Sequence, residues 1–270
     1  MKNFIFFLIC SQLIVYSQDL QLFGTVQPGN AMIGKAENIQ QVMLNDEKLK
    51  IDDNGVFIFG FDRNAKGTYL LKVKYKDGKS EIKKFDLPER KYDIQRINST
   101  KKQFSSPPEE ELPRIERERQ KMKEARAKIG IDDSAYFASG FTRPIKGGRI
   151  VGVFGSQRIL NGVPKNIHNG IDIAAPTGTD VYAMADGIVR IAEENFYYNG
   201  TFVLIDHGQG LSSVYLHFSK LSVKTGDFVK KGQKIGEVGT TGRSTGPHLH
   251  WGVNWYNKMI DPNSLLGIGI

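Results

Sequence analysis

His168 and Asp172, four residues apart, and His248 and His250, two apart, are the side chains of this chain best suited to chemistry. The chain has five histidines, at 168, 207, 217, 248 and 250, all in its carboxy-terminal half. Neutral imidazole and carboxylate are ordinary zinc ligands, at roughly 2.0–2.2 Å. A zinc site with one open position lowers the pKa of a water there from ~15.7 toward ~7, and spare imidazoles can move its proton. Taken alone, a His-x-x-x-Asp pair arises easily by chance, and a single His217 is more often structural. The combination points to metal-assisted hydrolysis.

These residues need elements that bring them together. Gly170 and the run 171–176, which ends in Pro176, argue against a helix. His168 is therefore expected to end a loop and Asp172 to lie on the strand after it. On a strand, His248 and His250 project to one face, and the same alternation would align Tyr215 with His217. Trp251 then alternates away from His250 and is expected to pack. Short strands are expected at 181–184, 187–192, 201–206, 213–217 and 248–253. His207, in Asp206-His207-Gly208, is read as a structural hydrogen-bonding residue.

Upstream, residues 18–100 read as a small β-sandwich. Asp77-Gly78 and Asn54-Gly55 mark its turns, and without histidine or cysteine it offers no chemistry. Residues 101–135 change composition: Ser105-Ser106-Pro107-Pro108 is followed by a densely charged, helix-forming stretch. Leu112, Ile115, Met122 and Ile129 form only a thin apolar stripe there. A connector helix with a solvated face is the reading favoured over a packing helix.

Bulk properties set limits. The 270 residues, 40% hydrophobic and 24% charged, suit two modest domains. Lys2, an apolar run over 4–13 and Val15-Tyr16-Ser17 read as a signal peptide over 1–17. Export to the periplasm or beyond the cell follows, with no stable membrane span after cleavage. Cys10 is the only cysteine and lies in that segment, preceded by Ile9 rather than a small residue, which disfavours lipidation. Disulfides and a Cys-ligated zinc site are thereby excluded. A net charge of +8 favours anionic surfaces, but no nucleic-acid-binding module is visible.

The carboxy-terminal region, over about 141–262, resembles the lysostaphin/LytM-type zinc peptidases that cleave the peptide cross-links or bridges of bacterial peptidoglycan. The residues carrying the resemblance are His168-x-x-x-Asp172, Tyr215-Leu216-His217 and Gly246-Pro247-His248-Leu249-His250-Trp251-Gly252. Asp206-His207-Gly208, the stretch 226–233 and Gly239-Thr240-Thr241-Gly242 add to it, in the same order along the chain. Phe218 stands where Leu is usual. The resemblance implies one Zn2+ per chain held by His168, Asp172 and His250, with His217 and His248 as catalytic imidazoles. It also implies an antiparallel all-β fold for 136–270 and a cell-wall location. Arg158 and Arg243, in glycine-containing loops, are candidate contacts for stem-peptide carboxylates.

Two readings compete. Degenerate members of the same family regulate other wall hydrolases without cutting, although here every required residue is present. The stretch 224–233 also resembles the β turn of biotinyl and lipoyl domains, but the modified lysine expected in the preceding hairpin is missing. The domain at 18–100 is left as a targeting module, an inhibitory cover or the docking site of a regulatory partner.

Overall fold

The computed structural model describes residues 20–97, 107–160 and 162–269. The expected signal peptide, with Cys10, lies outside them, as do residues 98–106, which include the first residues of the linker expected over 101–135. No helix among the described residues is long and apolar enough to cross a membrane.

The chain is mostly antiparallel β with one α-helix, as expected. The amino-terminal strands are β1 (Gln21–Phe23), β2 (Ala31–Lys35), β3 (Ile39–Leu44), β4 (Glu47–Lys48), β5 (Val56–Gly60), β6 (Thr68–Tyr75) and β7 (Ser80–Asp86). They form two sheets, ordered β1-β2-β5 and β4-β3-β6-β7. Aromatic rings fasten one to the other: Phe59 lies 5.8 Å from Phe85, and Phe61 5.0 Å from Tyr69. Both expected turns are present, with Gly55 and Gly78 at φ +74° and +90°, where a Cβ would be strained.

Beyond β8 (Ile94–Ile97), helix α1 spans Leu112–Arg126. The carboxy-terminal strands are β9 (Arg149–Gly152), β10 (Gln157–Leu160), β11 (Val163–Ile167), β12 (Ile171–Ala174), β13 (Asp180–Tyr182), β14 (Gly187–Phe196), β15 (Gly200–Asp206), β16 (Leu211–Leu221), β17 (Phe228–Val229), β18 (Lys234–Val238), β19 (His248–Trp255) and β20 (Lys258–Ile260). Most belong to one sheet with the central order β17-β14-β15-β16-β19-β12-β9.

Two expectations need correction. Helix α1 has the expected solvated face, but with Ile115 and Ala125 buried it also packs. Ala125 and Met122 join Ile191, Phe196, Phe202, Leu204 and Val214 in a second apolar cluster on one face of the large sheet. Ile115 is buried too, whereas Leu112 is exposed, so the stripe works only in part. The charge of α1 hid this, because a few small apolar side chains suffice where the sheet supplies the aromatic bulk.

The second correction concerns β16. Tyr215 and His217 do not share a face. Val203 opposes Tyr215 and Thr201 opposes Phe218, so two residues on β16 face Phe202 alone. This bulge coincides with a left-handed φ of +69° at His217. Tyr215 and Phe218 consequently both enter the main core, while His217 is turned to the opposite face.

The two halves share that main core, which runs from Phe57 and Phe59 through Trp255 and Ile260. Gly60 packs so closely that a Cβ there would lie 2.6 Å from Ile260 Cδ1. Gln209 Nε2 donates across the junction to the Val56 carbonyl at 2.9 Å.

Candidate metal centre

Three neighbouring strands build the site. In the register of the sheet, Asp172 on β12 faces His250 on β19, and His250 faces Leu216 on β16. Alternation sends Ile171, Ile173, Leu249 and Trp251 into the main core and leaves Asp172, His248 and His250 on the other face. His168 precedes β12, as expected, and the bulge delivers His217.

The ring nitrogens are oriented by main-chain carbonyls. His168 Nδ1 lies 3.0 Å from Val153 O, His217 Nδ1 2.8 Å from Thr241 O, and His248 Nδ1 2.8 Å from Gly246 O. A carbonyl accepts only, so each of these Nδ1 atoms carries the hydrogen and each Nε2 presents a lone pair. His168 Nε2 meets Asp172 Oδ1 at 3.0 Å and His250 Nδ1 at 3.1 Å, and His250 Nδ1 meets the same oxygen at 2.8 Å. The His217 and His248 rings stand beside this triangle, 4.8 Å apart, with His248 Nε2 3.8 Å from Asp172 Oδ1.

These three residues form a donor cluster that could hold a metal ion. A tetrahedral ion with arms of roughly 2.0–2.2 Å separates its ligand atoms by about 3.4 Å, close to the triangle described. Burial alone would raise the Asp172 carboxyl, but the His168 and His250 rings outweigh it and hold the carboxyl well below the usual range. Burial lowers His250, and it lowers His217 to about 4 despite the Thr241 carbonyl. The result is an ionised Asp172 carboxylate beside a His250 ring whose charged form burial disfavours, and carboxylate with imidazole is a donor set that fits Zn2+.

His207 stands apart. It is fully buried, with Nδ1 2.7 Å from Asp186 O and Nε2 2.7 Å from Ser213 Oγ. Arg243 is exposed in the loop between Thr241 and Gly246, its main-chain N–H 3.0 Å from Tyr198 O. Arg158 sits on β10, but its side chain lies outside what the structure describes. Sequence reasoning missed Val153, Thr241 and Gly246, which act through their carbonyls and so carry no signal in side-chain identity. It also missed Gly152, which faces Asp172 across β9. A Cβ there would lie 2.4 Å from Asp172 Oδ2.

Residues 166–262, which contain all five histidines, match peptidase family M23. The carboxy-terminal region is an M23 domain. A peptidoglycan DD-endopeptidase, ShyA, of Vibrio cholerae serotype O1 is 49% identical over 96 residues, 35% of this chain and 22% of that protein. The DD-carboxypeptidase/endopeptidase Mpg of Neisseria meningitidis serogroup B is 43% identical over 99 residues, 37% of this chain and 23% of the relative. The match thus spans only about a fifth of the length of these curated relatives. A solved peptidase M23 chain from Pseudomonas aeruginosa aligns with 91% of this chain and 96% of its own length, at 26% identity and a TM-score of 0.61. That likeness covers the M23 domain and the amino-terminal sheets together.

Proposed function

We propose that the protein is an exported zinc-dependent endopeptidase that hydrolyses peptide cross-links or bridges of bacterial peptidoglycan. One observation carries the reading: His168 Nε2, His250 Nδ1 and Asp172 Oδ1 converge within about 3 Å of one another, with two further imidazoles beside them. The similarity of the M23 domain to peptidoglycan endopeptidases supports the substrate class.

His168, Asp172 and His250 would hold a zinc ion, which would supply Lewis acidity toward the scissile carbonyl and the attacking water. Val153 O holds the His168 ring so that Nε2 faces Asp172 Oδ1 and His250 Nδ1. His217 and His248 flank the reacting carbonyl with Nε2 lone pairs. One takes the proton of the water at its Nε2 and delivers it to the leaving amine; the other steadies the charge that develops on the carbonyl oxygen as an imidazolium, whose Nε2–H then donates. Burial keeps His217 neutral at physiological pH, ready to accept a proton. Arg243, exposed on the loop that joins the carbonyls orienting both imidazoles, would pair with a carboxylate of the stem peptide.

The test compares the protein with its His250→Ala variant for zinc content and for amino groups released from purified peptidoglycan. One zinc per chain and release only by the unmodified protein are expected. Zinc without release would favour a non-cutting regulator, and no zinc would overturn the reading.

A further inference from the structure

The loop that orients His168 is gripped by the amino-terminal half of the chain. Three contacts tie residues 153–156 to His168: Val153 O to the ring, Gly155 N to His168 O at 2.9 Å, and His168 N to Ser156 O at 2.9 Å. The other side of that loop meets Arg63. Its Nε and Nη2 both donate to Gly155 O, at 2.9 and 2.5 Å, and its Nη1 donates to Asn64 Oδ1 at 2.7 Å.

Arg63 is 8% exposed and makes no ion pair among the described residues. A buried cation is costly without compensation, and this one is directed at a main-chain carbonyl of the loop. Tyr92 completes the clamp. Its ring lies under the guanidinium at 4.1 Å, and its hydroxyl donates to Arg63 O at 2.9 Å. Gly155, at φ +75°, presses on the same ring, where a Cβ would lie 2.3 Å from Tyr92 Cδ1. Phe154 is buried and set edge-on to Tyr92, with centroids 6.2 Å apart. Asp93 O then accepts from Gln157 N at 2.9 Å, and β8 runs parallel to β10 from that point.

We propose that Arg63 is a positioning residue for the metal ligand His168, acting from the amino-terminal domain through the Gly155 carbonyl. The inference rests on the reading of His168, Asp172 and His250 as the zinc site. In it the amino-terminal domain is a part of the metal centre's support. Arg63 fixes the height of the loop, the loop carries Val153 O, and Val153 O fixes both the tautomer and the direction of the His168 ring. A group bonded directly to a metal ligand, as Val153 O is to His168, is typically worth 10–100-fold in metal affinity or activity, and Arg63 acts one step further out.

The test measures Zn2+ affinity of the full chain by competition with a chromogenic chelator, alongside thermal melting of the metal-free protein. Arg63→Ala is expected to weaken Zn2+ binding by up to roughly tenfold, the lower end of what a direct partner of a metal ligand is worth. Arg63→Lys keeps the charge but loses the two-pronged grip on Gly155 O. It should retain most of the melting temperature and bind Zn2+ with an affinity between the other two, which keeps the test open if the alanine variant does not fold. A fall in melting temperature with unchanged Zn2+ affinity in the folded variants would overturn the role of Arg63 and leave the zinc site standing. Failure of the unmodified chain to bind Zn2+ would overturn both.

Discussion

The amino-terminal sheets and the large carboxy-terminal sheet are built by the same alternation of apolar and polar residues, but they bury different things. Between residues 20 and 97 the interior holds Phe57, Phe59, Phe61, Leu71 and Val73, and the buried polar side chains are Asn30 and Arg63. Both belong to the contact with the M23 domain: Arg63 reaches Gly155, and Asn30 accepts from Arg90, which pairs with Asp261. The carboxy-terminal sheet instead buries Asp206, His207, Ser212, Ser213, His217 and Asn254. Burying polar groups is costly unless each finds a partner, so they persist where something other than stability requires them. Polar burial therefore falls at the contact between the halves and in the hydrogen-bonded strands behind the site, while His168, Asp172 and His250 themselves are only half-buried.

Substitutions can break or sharpen that contrast. His217→Ala and His248→Ala should each lower turnover on purified peptidoglycan by ~10²–10⁴-fold while zinc stays bound. Loss of zinc from either variant would erase the division between ligands and imidazoles. Phe59→Ala, in the amino-terminal core, should cost about 3–5 kcal/mol in chemical denaturation. Its folded fraction should bind zinc as before, and an altered zinc affinity would show that the apolar core also tunes the site.

Acid should act on the carboxy-terminal half. Burial lowers His207 to about 4 from an ordinary value of 6.5, against the pull of the Asp186 carbonyl. As pH falls the unfolded chain takes up this proton first. The contribution of His207 is whole above pH 6.5 and drains away toward pH 4, about 3 kcal/mol in all. In His207→Gln, melting temperature should fall less steeply through that window, and an unchanged slope would assign the sensitivity to other groups. His217, lowered similarly, supplies part of what remains. The smallest effect is expected from Gly152→Ala, which pushes a methyl group toward Asp172 Oδ2 and should weaken zinc binding by roughly tenfold. Unaltered affinity in titration would mean that β9 gives way without disturbing the carboxylate.

Much of the site was legible because it is written in side-chain identity. His168, Asp172, His248 and His250 follow from residue type and strand period, and Trp251 packs where alternation puts it. His217 was legible as a residue but not as a geometry. Simple alternation would have buried it with Tyr215, and only the bulge opposite Phe202 turns it to the working face. The packing of α1 escaped because its apolar partners, Phe196 and Phe202, lie far along the chain. Arg63 escaped for the same reason, since a surface-type residue in a β-rich stretch carries no sign that it will reach a carbonyl beyond α1.

The parallel pairing of β8 with β10 also bears on how the molecule comes to be made. β8 is synthesised before α1, and β10 after it, so the pair must close a long loop of chain, a slow event in folding. The loop that aims His168 gains this support only once β8 and β10 have paired. A chain beginning at residue 107 would keep all five histidines and yet leave β10 an open edge. Such an edge invites pairing between copies, and β8 covers it.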